Sequence, residues 1–217
     1  MKVCIVGAGD GGSTAAIQIR RLDGEAQIEV FNKRGSLGCP PCPMVLVLSG
    51  TVANWDELIH GFREIAFWDK RNINLHLNTE VTDIVRQDKY VVAGNKKYEY
   101  DKLILAMGAK PVIPPLAGLD GKSEFALSTD MADGVALDNA IGRCSEAAIV
   151  GGGFIALEVG AALRARVYRK VHLLVRRGIL RSYLDEDMAE GVKEVLTQNG
   201  IELILPAKIE SIATKEA

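Results

Sequence analysis

The apolar positions of this chain come in short runs separated by glycines. Residues 2–6 (KVCIV) form one such run, and residues 13–22 then place apolar side chains at helical spacing. The segment 26–31 (AQIEVF) predicts a second strand. A strand, a helix and a strand within about 30 residues have the size of a mononucleotide-binding βαβ unit. Further on, "NWDELIHGFREIAFWDKR" spaces Trp55, Leu58, Ile59, Phe62 and Ile65 as one amphipathic helix, with Asn54 and Glu57 as its capping pair. Between 73 and 100, apolar and polar residues alternate ("INLHLN", "KYVVAG"), and Gly94-Asn95 marks a tight turn, which predicts antiparallel strands. "KLILAMG" (102–108) predicts a buried strand, and the proline-rich "AKPVIPPLAGLDG" predicts a domain boundary.

The opening pattern then returns. "EAAIVGGG" is a strand running into glycines, 154–166 a helix, and "KVHLLV" a strand. Asp185 opens another helix that ends at Asn199-Gly200, and "IELIL" and "KIESIA" follow as strands. Two βαβ openings about 145 residues apart mark a repeated function rather than a solenoid. The expected fold class is α/β, with two Rossmann-like units and an antiparallel β insertion. The expected division is 1–110 and 111–217.

Composition narrows the function classes. With 217 residues, 48% hydrophobic, 25% charged and a net charge of −2, the sequence has the balance of a globular protein. Its charge offers no electrostatic case for nucleic acid or an anionic membrane surface. No apolar run approaches the ~18 residues of a membrane span. The N-terminus reads as a strand without a signal-peptide cleavage pattern, and four cysteines do not make a disulfide framework. The expected compartment is the cytosol, where a CxxC is more often catalytic or metal-binding than structural.

Gly7-Ala8-Gly9-Asp10-Gly11-Gly12 fits GxGxxG between a strand and a helix. Gly7 permits the tight turn, Gly9 lets the backbone approach a pyrophosphate, and Gly12 packs helix on strand; the phosphates sit at the positive end of the helix. The second copy, Gly151-Gly152-Gly153-Phe154-Ile155-Ala156, is a GxGxxA variant followed by Leu157-Glu158. One dinucleotide site binds a cofactor; two in one chain suggest electrons passing between dinucleotides. An acidic residue closing the second strand accepts from a ribose, whereas an arginine favours a 2′-phosphate. That position is Asn32 after the first loop and Arg176 after the second, with Arg177 and Arg181 close by. The arginines favour NADPH over NADH; a solvated basic turn is the plainer alternative.

These motifs resemble the FAD- and NAD(P)H-dependent pyridine nucleotide-disulfide oxidoreductases, nearest the coenzyme A-disulfide reductase and NADH oxidase branch. "VGAGDGGSTAAIQIRRLD", Cys42, "LILAMGAKPVIPP" and "IVGGGFIALEVGAAL" carry the likeness along essentially the whole chain. It implies FAD in the first unit, held at Gly7, Gly9, Gly12, Asn32, Lys33, Val81, Ala106, Met107 and Gly108. It implies NAD(P)H in the second, at Gly151, Gly153, Glu158, Arg176 and Arg177. Asn32 departs from the family's usual Glu. The family's second flavin segment, with its Gly-Asp pair, and its dimerisation domain are not among the 217 residues. The expectation is therefore a fragment, one subunit of a split enzyme completed by a partner chain, or a non-catalytic nucleotide-binding module.

In the single-cysteine branch the redox cysteine lies ten residues past the ribose position, which implies Cys42, with Cys39 as a resolving thiol in Cys39-Pro40-Pro41-Cys42. The implied acceptor is a disulfide, a polysulfide or oxygen, reached through a sulfur. A zinc half-site and an inert proline-stiffened turn are the alternatives; zinc needs two further ligands at suitable spacing, which the sequence does not offer. His60, in the expected helix, and His76, pointing outward from an alternating strand, read as structural or solvated. Arg20 and Arg21 end the first helix; in coenzyme A-disulfide reductases arginines near there meet substrate phosphates, and complementing the helix dipole is the alternative.

Overall fold

β1 (Lys2–Val6) buries Val3, Cys4 and Ile5 in succession, so both of its faces are covered, as in the middle of a parallel sheet. The computed structural model describes residues 1–38, 42–121, 124–166, 168 and 170–213. Two compact units emerge, Met1–Pro40 with Leu58–Lys110, and Pro41–Glu57 with Pro111–Ala217.

In the first unit, α1 (Asp10–Leu22) connects β1 to β2 (Gln27–Phe31), and α3 (Ile65–Asp69) precedes β3 (Asn74–His76). β4 (Val81–Val85), β5 (Tyr90–Ala93) and β6 (Lys96–Glu99) follow, and β7 (Lys102–Leu105) returns to pair with β1. The order β3-β2-β1-β7 is parallel throughout, and β4-β5-β6 is antiparallel. One core joins Val3, Ile5, Ile28 and Val30 to Ala16 of α1 and Trp68 of α3. A second, on the other side of β1, joins Cys4 and Phe31 to Val91 and Ala93. Gly94 (φ 54°) and Asn95 (φ 64°) both adopt the left-handed conformation that a two-residue hairpin turn requires.

The second unit begins with α2 (Met44–Leu48), continues through α4 (Met131–Ala140), β8 (Glu146–Val150), α5 (Phe154–Arg166), β9 (Lys170–Leu174) and α6 (Glu186–Gln198), and ends in β10 (Ile201–Ile204). Its sheet, β10-β9-β8, is again parallel. Leu48 of α2 is fully buried in the same core as Leu137, Val159, Leu163, Val171 and Leu173. Asp138 clips this arrangement: Trp55 Nε1 donates to its Oδ2 at 2.9 Å and Arg166 reaches its Oδ1 at 2.5 Å. The same Arg166 nitrogen donates to the carbonyls of Val47 and Leu48.

Five expectations change. The strand expected to be buried at 102–108 is β7, which lies at the edge of its sheet and leaves Leu105 exposed and Leu103 and Ile104 half-buried. The helix expected from Trp55 onward is broken into the single turns Trp55–Leu58 and Gly61–Arg63 and the short α3, because Gly61 takes φ +63° and His60 is extended. Trp55 packs into one unit's core and Trp68 into the other's, so burial overrides helical propensity. The Asn54–Glu57 pair nevertheless forms, with Glu57 N donating to Asn54 Oδ1 at 3.2 Å. "INLHLN" contributes β3 to the parallel sheet rather than an antiparallel strand, its register set by Val30↔Leu75. "KIESIA" is no strand; a single bridge, Ala117↔Ser211, is formed there. His76 does not point outward: its ring stacks on Phe31 at 5.0 Å and shares a hydrogen bond with Glu29.

Candidate functional site

The first glycine loop joins β1 to α1 at the carboxyl edge of the parallel sheet. Gly7 has φ +102°, and a Cβ there would lie 2.1 Å from Ala106 O. At Gly12 a Cβ would lie 1.8 Å from Gly7 O, so only hydrogen fits between helix and strand. Gly9 is different: nothing lies within 4 Å of an added Cβ. Two of the glycines are therefore required by the fold, and the middle one holds a surface open. Gly9 is also the N-cap of α1 and offers no side-chain cap. The helix thus presents its first backbone N–H groups without a side-chain acceptor, which is an anion-binding arrangement.

Backbone hydrogen bonds gather the other expected residues at this edge. Gly7 N donates to Phe31 O at 2.8 Å, Ala106 N to Val6 O at 2.8 Å, and Asn32 N to His76 O at 2.9 Å. The loops beginning at Gly7, Asn32 and Ala106 are thereby side by side, with Lys33, Met107 and Gly108 exposed on them. The Asn32 amide nitrogen donates to the carbonyls of Arg34 (3.1 Å) and Ser36 (2.8 Å), folding its loop around the side chain. Val81 packs half-buried against the cluster of Cys4, Phe31, Val91 and Ala93. Arg20 is occupied as a structural staple, donating to the carbonyls of Arg71, Asn72, Asp23 and Gly24. Arg63 pairs with Asp10 of the loop across 53 residues of chain, a separation that leaves no local pattern to read.

The second loop repeats the geometry. Gly151 (φ +140°) turns the chain after β8, and its N donates to Leu174 O at 3.0 Å. Gly153 has nothing within 4 Å of an added Cβ, like Gly9. Gly152 is held close by Val175 and by Leu180, whose N donates to Gly152 O at 2.7 Å. Arg176, Arg177 and Arg181 are exposed on the loop after β9, and Glu158 is exposed on α5.

Cys42 is exposed in the turn that leads through Pro43 into α2. Cys39 lies outside the described residues. Cys144 is exposed; Cys4 is buried, and that burial, with the charge of Glu29 second, pushes its thiol up to about 11. Burial likewise raises Tyr168, the proximity of Cys144 adding to it. His60 is exposed between two single turns rather than within a helix. Among the described residues no group of three or more His, Cys, Asp and Glu side chains is placed to hold a metal ion. No described helix is long and apolar enough to cross a membrane. A groove of about 610 Å³ opens beside Lys2, Glu29, Tyr90, Lys97 and Glu99. It includes the first residues of β1 and β2, opposite the glycine loops; Lys2 pairs with Glu99 at 2.9 Å, Lys97 lies over Tyr90, and Glu29 bonds Asn74 and His76.

Two parallel-sheet units, each with a glycine loop whose middle position is open, define a protein built to hold dinucleotides. The chain belongs to the pyridine nucleotide-disulphide oxidoreductase family, whose profile matches residues 1–217. It is 32% identical over 223 residues to an NADH oxidase of Methanocaldococcus jannaschii, covering 100% of this chain and 49% of that protein. It is 34% identical over 222 residues to a CoA-dependent NAD(P)H sulfur oxidoreductase of Pyrococcus furiosus, covering 99% and 49%. Among solved structures, an NAD-dependent persulfide reductase from A. fulgidus superposes with a TM-score of 0.90 at 27% identity, over 98% of this chain and 41% of that one. The chain spans about half the length of the curated relatives it matches.

Proposed function

We propose that this chain is the dinucleotide-binding part of a flavoprotein oxidoreductase that passes electrons from NAD(P)H through FAD to a cysteine-linked acceptor, a disulfide, a polysulfide or oxygen. The first unit takes FAD and the second the nicotinamide cofactor. The observation that carries this reading is the pair of open middle glycines, Gly9 and Gly153, each at the start of a 13-residue helix. A Cβ at either would occupy the space through which a diphosphate reaches the helix N-terminus. When bound, the two groups supply two-electron transfer.

The chain's own residues bind and orient. Gly9, Asp10 and Gly11 lie where the diphosphate meets α1. Asn32, its amide nitrogen already committed to Arg34 and Ser36, offers Oδ1 to a ribose hydroxyl. Arg176 and Arg177, exposed after β9, suit a 2′-phosphate, so NADPH is the favoured donor. Cys42 supplies the exposed sulfur and Cys39 the second thiol of the pair. Exposed, unpaired Cys42 and Cys144 fit a reducing cytosol.

Absorbance tests this directly. The purified chain should be yellow, and NADPH should bleach it anaerobically. Cys42→Ser should keep the colour and lose disulfide reduction. A colourless chain that still binds a nucleotide favours a non-catalytic nucleotide-binding module, and unchanged disulfide reduction in Cys42→Ser removes that thiol from the chemistry.

A further inference from the structure

We propose that Arg63 is an anion-binding side chain of the first glycine loop, held against Asp10 and presented to the diphosphate of a dinucleotide or of ADP. This rests on the assignment of a dinucleotide to that loop. Asp10 is the first residue of α1 and is exposed. A carboxylate there favours the ligand-free helix, because it complements the positive helix end. The same carboxylate repels an incoming diphosphate, so a loop meant for phosphates needs that charge cancelled.

Arg63 cancels it. It comes from the turn Gly61–Arg63, and one terminal guanidinium nitrogen lies 2.5 Å from Asp10 Oδ1. Its side chain is only 9% exposed, and the guanidinium carbon stands 4.4 Å from the Phe62 ring centroid. Its Nε is buried and has no hydrogen-bond partner among the described residues. A buried guanidinium with an unmade hydrogen bond is costly to keep. A surface pair serving only to steady Asp10 needs no such burial, since an exposed lysine neutralises a carboxylate equally well. The planar fork of Arg63 can retain Asp10 on one edge and turn another toward phosphate oxygens, the geometry in which arginine exceeds lysine. The ligand class is therefore a diphosphate ester, with adenosine alone gaining nothing from Arg63.

The test uses the whole 217-residue chain. FAD, ADP and adenosine are titrated into the unmodified protein, Arg63→Gln and Asp10→Asn. Arg63→Gln leaves Asp10 uncompensated and should weaken FAD and ADP roughly tenfold, with a shallower salt dependence, and leave adenosine unchanged. Asp10→Asn removes the repulsion and should tighten both. Should Arg63→Gln fail to fold, Arg63→Lys, which keeps the charge but not the planar fork, decides: weaker ADP with adenosine unchanged supports the proposal, and unaltered ADP overturns it. Unaltered FAD affinity in Arg63→Gln, or an equal loss for adenosine, overturns it while leaving the flavin assignment standing. Arg63-dependent binding of ADP without any uptake of FAD supports it and overturns the flavin assignment. An unmodified chain that takes up neither FAD nor ADP overturns both.

Discussion

Gly9 and Gly12 lie three residues apart in one loop, and substituting each by alanine separates folding from binding. At Gly12 the new Cβ would sit 1.8 Å from Gly7 O and 2.9 Å from Gly7 C, both backbone atoms that cannot rotate away. α1 would have to withdraw from β1 by more than an ångström, which overpacking data put at about 1–3 kcal/mol. With a urea slope of about 2 kcal/mol per molar, a loss of about 2 kcal/mol lowers the midpoint by about 1 M. At Gly9 the backbone (φ −71°, ψ −170°) is open to alanine and nothing lies within 4 Å. The reduced entropy of the unfolded chain is worth about 0.4–1 kcal/mol, and the poorer N-cap offsets it by a similar amount, so the midpoint should hardly move. The methyl nevertheless stands where the diphosphate approaches, and FAD should bind at least roughly tenfold more weakly, about 1.4 kcal/mol. Urea denaturation of the flavin-free chain and a flavin fluorescence titration together read both effects. If Gly9→Ala unfolds as early as Gly12→Ala, or binds FAD as the unmodified chain does, the division of labour within the loop is refuted.

Three further outcomes are expected. Arg176→Glu should shift preference from NADPH toward NADH, measured as the ratio of their dissociation constants; an unchanged ratio excludes Arg176 from the 2′-phosphate. Cys4, pushed by burial up to about 11, keeps its proton when folded, whereas an unfolded thiol releases it near 9.0. The unfolded chain thus binds fewer protons across that window, and stability should fall by on the order of 2 kcal/mol as pH rises through it. Cys4→Ala should flatten that fall, and an alkylating reagent should reach Cys42 and Cys144 well before Cys4. Leu48→Ala removes a fully buried side chain from the second unit's core and should cost about 2–5 kcal/mol by urea denaturation.

What could be read from the sequence was what depends on near neighbours. The β1–α1–β2 and β8–α5–β9 units follow from apolar runs broken by glycines, and α5 spans Phe154–Arg166 as the spacing predicts. The Gly94-Asn95 hairpin follows from the positive φ those residues tolerate. What escaped was set by distant packing. α2 is a five-residue apolar run too short to show a period, and it is held in the second unit by Arg166, donating to the carbonyls of Val47 and Leu48. The spacing around Trp55 and Trp68 is helical, yet Trp68 is buried in one core while Trp55 packs half-buried against the other, and Gly61 breaks the run. His76 has an alternating pattern that points it outward, but Glu29 and Phe31 draw it in. Arg63 carries no sequence signal, because its partner Asp10 is chosen by the fold.

The clip between Arg166 and α2 also sets a timetable for synthesis. The hydrogen bond from Arg166 to Val47 O spans 119 residues of chain. At about 5–20 residues per second, roughly 6–24 s pass between the emergence of Met44–Leu48 and that of its anchor. Until α4 emerges with Leu137, which shares the core of Leu48, the ribosome-borne chain displays MVLVL uncovered, while the strands and helices of the first unit are already emerging. A nascent polypeptide stalled before α4 is therefore a natural client for holding chaperones, and a fragment beginning at Pro111 would be born without the side chain that plugs its own core.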